Sequence, residues 1–394
     1  MASSKFDIVV YGATGFTGRL VAEYLASRYK GDGNLKWAMA GRSKDKLASV
    51  RDAIGAAADT PLIVADASDP ASVKAMVEQT KSVITTVGPY QLYGSELIAA
   101  CVAGGVDYFD LCGEPVWMRQ MIDKHEAAAK ASGARIVFSC GFDSIPFELG
   151  VFCAQEHAKE MFGTPVSRIK GRIRAMKGTF SGGTAASARA SFAAAAKDLS
   201  LVAMFQDPFV LTPGFEGPKQ PKGNKPQLDE DMGSWTAPFI MATINTRNVH
   251  RSNMLMNFPY GKDFVYDEMI LTGPGEQGEA NAKRVVAAVN AERMGATDGP
   301  KPGEGPSKEE RENGMYDLLF VAIGPDGKQA RAAVKGDRDP GYGSTSKMIS
   351  ECAICLLRDA PDVAAGIWTP GAAMGHKLIK RLVDHAGLTF VVEK

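Results

Sequence analysis

Gly12, Gly15 and Gly18 stand three apart in the stretch FDIVVYGATGFTGRL, residues 6–20, between a run of β-branched residues and a segment with apolar side chains at helical spacing. Ile8, Val9 and Val10 have the composition of a buried parallel strand, and Leu20, Val21, Tyr24 and Leu25 mark the inner face of a helix. A strand, a glycine turn and a helix in that order can hold a pyrophosphate. The first glycine permits a sharp reversal, the second lets main chain approach a bulky anion, and the third allows helix and strand to pack closely. The unpaired N–H groups and partial positive charge at the helix start complete the anion site. The chemistry expected is dinucleotide binding; a tight connection that binds nothing is the plainer alternative, and the motif's place at the head of a strand–helix series counts against it.

Further candidates lie where the following strands end. An acidic residue after the second strand would accept the ribose hydroxyls of NAD, but the sequence there is AGRS. Arg42 can pair with a 2′-phosphate through its planar fork and Ser43 can add a hydrogen bond, so NADP is expected rather than NAD. Asp66, after the third strand, is placed to accept from the adenine amine or to cap a helix. Val87, Gly88 and Pro89 end the strand that runs beside the nicotinamide ribose, or else form an ordinary turn.

Reducing a polarised double bond also requires a proton donor. Tyr90, Tyr93, Asp110 and Asp143 lie on the same rim, with Tyr90 the first choice; each is equally readable as a structural tyrosine or a capping aspartate. Cys112 and Cys140 are expected to be packing residues. The histidines show no ligand spacing, so no metal is expected, and His250 is expected at the surface. Tyr342 and Lys347 are five apart, not the four of short-chain dehydrogenases.

These residues need a scaffold. Strands are expected in LKWAMAGRS, PLIVADASD, SVITTVGPY, VDYFDLCGE and ARIVFSCGFDS, with helices between them, and Asp69–Pro70 is a helix start. The alternation predicts a doubly wound parallel sheet, an α/β Rossmann domain over residues 1–160. Residues 161–340 read as an inserted α+β substrate or dimerisation domain with an antiparallel sheet. Its expected parts are a strand in RIKGRIRAMKG, a helix from SGGT onwards, strand-like segments at 239–247 and 263–272, a helix over 279–292, a polar linker near 296–310, and a hairpin about Pro325–Gly327. Residues 207–235 look irregular: a lid, an arm or a mobile loop. Residues 341–394 are expected to return as helices onto the Rossmann domain, with LTFVVE as a strand.

The chain has 394 residues and balances 45 basic against 45 acidic side chains, which gives no reason to expect a nucleic-acid partner. Six cysteines in this length do not make a disulfide scaffold, and CAIC at 352–355 lies in a helical apolar pattern that reads as core. With that cysteine usage and no N-terminal apolar segment that reads as a signal peptide, a cytoplasmic protein is expected; no apolar run is long enough to span a bilayer, and peripheral membrane contact stays open.

Taken in order, GATGFTG, AGRS, TVGPYQLYG, YFDLCGE, GFDSIPFELG, SGGT and GYGSTSKM resemble the saccharopine dehydrogenase-like oxidoreductases over nearly the whole chain, especially the branch of trans-acting enoyl reductases of lipid and polyketide assembly. The resemblance implies NADP(H)-dependent hydride transfer. It assigns Gly12, Thr14, Gly15, Phe16, Thr17 and Gly18 to the pyrophosphate, Arg42 and Ser43 to the 2′-phosphate, and Val87, Gly88 and Pro89 to the nicotinamide side. The substrate is expected between GPYQLYG, DLCGE, GFDS and the second domain. A hydrophobic or carrier-linked enoyl or keto compound is the leading substrate. A saccharopine-type secondary amine, held by several of Arg168, Arg172, Arg174, Arg189, Arg247 and Arg251, is the alternative, and a non-catalytic NADP-binding scaffold is a third reading. A homodimer is compatible with this layout.

Overall fold

The computed structural model describes residues 4–178, 198, 200–293 and 303–393. Its first sheet has seven parallel strands: β1 Phe6–Tyr11, β2 Trp37–Gly41, β3 Leu62–Val64, β4 Thr80–Thr85, β5 Asp107–Phe109, β6 Arg135–Val137 and β13 Gly366–Trp368, in the order β13-β6-β5-β4-β1-β2-β3. Ile8, Val9 and Val10 are fully buried, as a central strand covered on both faces must be. The strand order reverses beside β1, which pairs with β2 on one side and β4 on the other. That switch point opens a crevice at the strands' C-terminal ends.

The helices of this half are α1 Phe16–Arg28, α2 Lys44–Ala53, α3 Pro70–Val77, α4 Tyr90–Tyr93, α5 Ser95–Gly104, α6 Pro115–Ser132 and α7 Ile145–Phe162. Local chemistry starts two of them. Ser43 Oγ accepts from the Lys46 N–H at 3.3 Å, and Asp69 accepts from the Ala71 N–H at 3.0 Å just before Pro70.

The second sheet, also of seven strands, runs β14-β12-β11-β7-β10-β9-β8, where β7 is Arg168–Lys177, β8 Gln227–Asp229, β9 Ser234–Pro238, β10 Val265–Gly273, β11 Met315–Ile323, β12 Gln329–Gly336 and β14 Leu388–Glu393. The expected hairpin is β11–β12. The sheet is mixed, not antiparallel throughout, because β7 and β10 are parallel neighbours joined by a long crossover. Its helices are α8 Ser200–Gln206, α9 Ala242–Leu255, α10 Gly275–Arg293 and α11 Lys308–Glu312; α12 Thr345–Ile354 and α13 Pro370–Arg381 follow.

Three further expectations need correction. Residues 239–247 are not a strand: β9 ends at Pro238 and α9 begins at Ala242, because Ile244, Asn245, Asn248, Val249 and Ser252 are all buried, and that burial overrides the β-branched composition. The segment from residue 207 is not a free arm at its start. Phe209, Val210, Leu211 and Thr212 are buried, and the carbonyls of Asp207, Val210 and Leu211 accept from Arg247, Arg119 and Arg251 at 3.1, 2.9 and 2.8 Å. His250 is buried, not at the surface. SGGT, the alanine run at 193–196 and most of the polar linker lie outside the described residues.

Residues 341–394 feed both sheets: β13 extends the first next to β6, and LTFVVE is β14, paired with β12. Cys352 and Cys355 are buried free thiols in the core, as are Cys112 and Cys140 at the rim.

Candidate active site

The glycine turn has the geometry that its three residues foretell. Gly12 takes φ +88°, and a Cβ there would lie 2.8 Å from Val87 and 2.9 Å from Thr86 Oγ1. At Gly18 a Cβ would come within 2.1 Å of the Gly12 carbonyl oxygen, so α1 presses directly on the turn. At Gly15 a Cβ would meet only that oxygen, at 3.3 Å; this glycine is exposed, and the space before it is free for an anion. Gly15 is also the N-cap of α1 and supplies no side chain to the first-turn N–H groups. These features fit a dinucleotide pyrophosphate. Thr14 is exposed beside the turn and Thr17 is half-buried. The Phe16 ring is clamped from outside the first sheet's strands: Tyr342 meets it edge-on at 5.1 Å and the Arg311 guanidinium lies over it at 5.6 Å. Its main-chain N–H stays at the helix start.

Arg42 follows β2 and is exposed, with Asp66 and Tyr11 as electrostatic neighbours. Ser43 accepts at its oxygen from the Lys46 N–H of α2, which leaves its hydroxyl hydrogen able to donate. Asp66 sits below the usual carboxylate range because it accepts from the Ser68 N–H at 2.9 Å and hydroxyl at 2.8 Å, with Arg42 adding to the shift. Burial, and secondly Asp66, push the Tyr11 phenol up to about 12. On the other side of β1, Val87 and Gly88 reach the surface of the rim and Pro89 is buried as the N-cap of α4.

The proposed proton donors fare differently. Tyr90 is buried, and its hydroxyl accepts from the Leu111 N–H at 3.1 Å and donates to the Thr85 carbonyl at 3.4 Å. Burial, followed by Asp110 and Cys112, raises its phenol well above the ordinary value. Trp117 stacks on the ring at 5.8 Å. Asp110 is fully buried and accepts from the Cys112 and Ser139 N–H groups at 3.0 and 2.8 Å and from the Tyr108 hydroxyl at 2.9 Å. Burial lifts its carboxyl to about 7 against those three donors. Tyr90 and Asp110 therefore tie the ends of β4, β5 and β6 together, and neither presents a polar atom outwards. Tyr93 is 46% exposed on the same rim.

Sequence reasoning missed Glu114. It is buried, and its two oxygens accept from the Tyr90 and Gln91 N–H groups at 2.9 and 2.8 Å, which fixes α4 at the end of β4. Its place one residue before Pro115 was the available signal. A cleft of about 230 Å³ opens beside α4, lined by Gln91, Glu114, Trp117, Leu201 and Phe205 among others. Among the described residues there is no cluster of metal-ligating side chains and no helix long and apolar enough to cross a membrane.

Residues 8–137 match the family model of the saccharopine dehydrogenase NADP-binding domain. A Mycobacterium tuberculosis (strain H37Rv) protein, named provisionally as a trans-acting enoyl reductase, is 40% identical over 96% of this chain and 95% of its own length. The trans-acting enoyl reductase of Mycobacterium ulcerans is 36% identical over 97% and 96%. In three dimensions the chain is similar to the L-Glu-forming saccharopine dehydrogenase of Saccharomyces cerevisiae, with a TM-score of 0.55 at 9% identity over 99% of this chain and 100% of that one, a likeness of fold.

Proposed function

We propose, for a chain that belongs to the trans-acting enoyl reductase family of saccharopine dehydrogenase-like oxidoreductases, that its substrate is an apolar α,β-unsaturated or keto thioester borne on a carrier. The enzyme is an NADP-dependent oxidoreductase, and the coenzyme, when bound, supplies a hydride at nicotinamide C4. The chain holds that coenzyme through the α1 N-terminus, Arg42 with Ser43, Asp66 towards the adenine, and Val87 to Pro89 at the reacting end.

One observation favours a thioester over a saccharopine-type amine: the arginines that a substrate with several carboxylates would need are engaged inside the protein. Arg172 binds Asp229 and Asp267, Arg168 binds Asp267, Arg174 binds Asp317 and Glu393, Arg247 binds main-chain carbonyls, and Arg251 donates to the Leu211 and Ile367 carbonyls. Arg189 lies outside the described residues. Near the end of β6 the surroundings are aromatic: Phe142 packs on Phe147 and Tyr316 at 5.3 and 4.9 Å, and Phe147 on Phe239 at 5.6 Å.

NADPH consumption, followed by absorbance with a panel of 2-enoyl and 3-keto pantetheine thioesters and with an imine of an amino acid and a keto acid, tests the reading. Turnover is expected with a thioester; turnover with the imine alone, or with no compound, defeats it. The coenzyme assignment has its own check. Arg42→Ala should weaken NADPH binding by about tenfold or more and leave NADH within about twofold, since a charge-assisted pair to the 2′-phosphate is lost. Equal losses for both coenzymes would count against the placement of the phosphate.

A further inference from the structure

Where the end of β6 meets α9 and β10, three elements bring together polar side chains that nothing in the first sheet explains. Glu268 on β10 is 1% exposed, and Asn245 and Asn248 on α9 are fully buried. Asn245 Nδ2 donates to Glu268 Oε2 at 2.9 Å, and Asn248 Nδ2 donates to Ser144 Oγ at 2.9 Å, next to Asp143. Each of these groups has a second polar atom left over. Asp143 Oδ1, Glu268 Oε1, Asn245 Oδ1 and Asn248 Oδ1 are buried and make no hydrogen bond within the described residues. The Tyr266 hydroxyl is likewise buried without a partner, and unsatisfied oxygens on adjoining elements would be costly in a merely structural core.

The cations nearby are bound to other groups. Tyr266 lies on the same face of β10 as Glu268, and strand alternation sends Asp267 to the opposite face, where Arg168 and Arg172 hold it. On α9 the cations are Arg247, bound to carbonyls of residues 205, 207 and 243, and Arg251, bound to those of Leu211 and Ile367. His250 is kept neutral by burial and by Arg247. On α7 the nearest carboxyl is Glu148, which accepts from Ser252 and Gly371. Among the described residues no cation pairs with Asp143 or Glu268. Burial pushes Asp143 up to about 7. Burial also pushes Glu268 to about 8 against its hydrogen bond from Asn245, with the Asp143 charge adding to the rise.

We infer that Asp143 and Glu268 are the proton supply of the reduction, Asp143 as the catalytic acid at the reacting carbon and Glu268 as the positioning residue that restores it. The inference rests on the thioester reading. In the balanced step the substrate β-carbon gains a hydride with its electron pair, the C=C π pair moves to the α-carbon, and the α-carbon takes the proton from the Asp143 carboxyl. Asp143 carboxylate then recovers a proton from Glu268, and Glu268 from water. The unpartnered amide oxygens of Asn245 and Asn248 can only accept, so the site favours an uncharged group and rejects an anion.

Infrared difference spectra and kinetics of Asp143→Asn and Glu268→Gln test this. At pH 6 the wild type should show carboxylic-acid C=O bands that each variant reduces by one, and in Asp143→Asn the remaining band should titrate at lower pH because a neighbouring negative charge has gone. Asp143→Asn should lose about 100-fold in kcat with NADPH affinity unchanged. Glu268→Gln should keep its first turnover and slow the later ones. Wild-type kcat should fall as pH rises through about 7. If the acid bands are absent, or if kcat in Asp143→Asn stays within about threefold at every pH, the inference is wrong and the thioester reading stands. A wild type that reduces no thioester, with the bands present, sinks that reading and the proton role with it.

Discussion

Gly18→Ala is expected to abolish NADPH binding and to cost about 3 kcal/mol of stability, because its new methyl would sit 2.1 Å from the Gly12 carbonyl oxygen and 2.7 Å from Thr86 Oγ1. The nearer neighbour cannot yield, because it is main chain in the turn itself; the other is the Thr86 side chain, where β4 leaves the sheet. Relief requires α1 to slide off β1, which moves the anion-binding N–H groups with it. Gly15→Ala separates the two effects. Gly15 has φ −78° and ψ 167°, values open to alanine, and only one atom approaches its Cβ, at 3.3 Å. Its stability should stay within about 1 kcal/mol while NADPH affinity falls about tenfold or more, because the methyl occupies the anion's space. Thermal unfolding and NADPH fluorescence titration read both. Full NADPH binding by Gly18→Ala would show that the pyrophosphate lies elsewhere.

The second large effect is structural. Arg172→Met should destabilise the protein by about 3 kcal/mol, the low end for breaking a buried pair, because each of its two carboxylates retains a second cation. The Arg172 side chain is 1% exposed, and it donates to Asp229 at 2.7 Å, to Asp267 at 2.9 Å and to the Gly171 carbonyl at 2.7 Å. Asp229 keeps Lys170, and Asp267 keeps Arg168. Burial opposes the ionised form of Asp229, but Lys170 and Arg172 outweigh it and hold its carboxyl below the ordinary range. A depressed carboxyl stabilises the fold above its unfolded pKa and loses that contribution as pH falls through its folded value. Arg172→Met should therefore flatten part of the acid limb of the stability curve. Urea midpoints at neutral and acid pH measure this, and adding Asp267→Asn to Arg172→Met should recover part of the loss. A midpoint unchanged by Arg172→Met would mean that the pair contributes nothing.

The cofactor half was largely legible because its signals are local. Gly12, Gly15 and Gly18 act within seven residues of one another, and Ser43 and Asp69 cap helices that begin at the next residue. The roles on the rim were not legible for the opposite reason. Tyr90 and Asp110 fall on the rim as expected, but what they do is set by Leu111, Ser139 and Thr85, which no spacing rule connects to them. Glu268 carries a faint signal, a carboxyl alternating with Tyr266 and Ile270 on one strand face, and its meaning depends on Asn245 from a segment that reads as strand and folds as helix. β13 is three residues long, too short to announce itself among the helices around it.

The late strands set the order in which the molecule is finished. β13, from residue 366, forms one edge of the first sheet beside β6, and β14, from residue 388, forms one edge of the second beside β12. A nascent chain leaving the ribosome therefore exposes β6 and β12 as provisional edges until more than 360 residues have been made, and the two strands that cover them, with α13 between, then emerge within a single short span of translation.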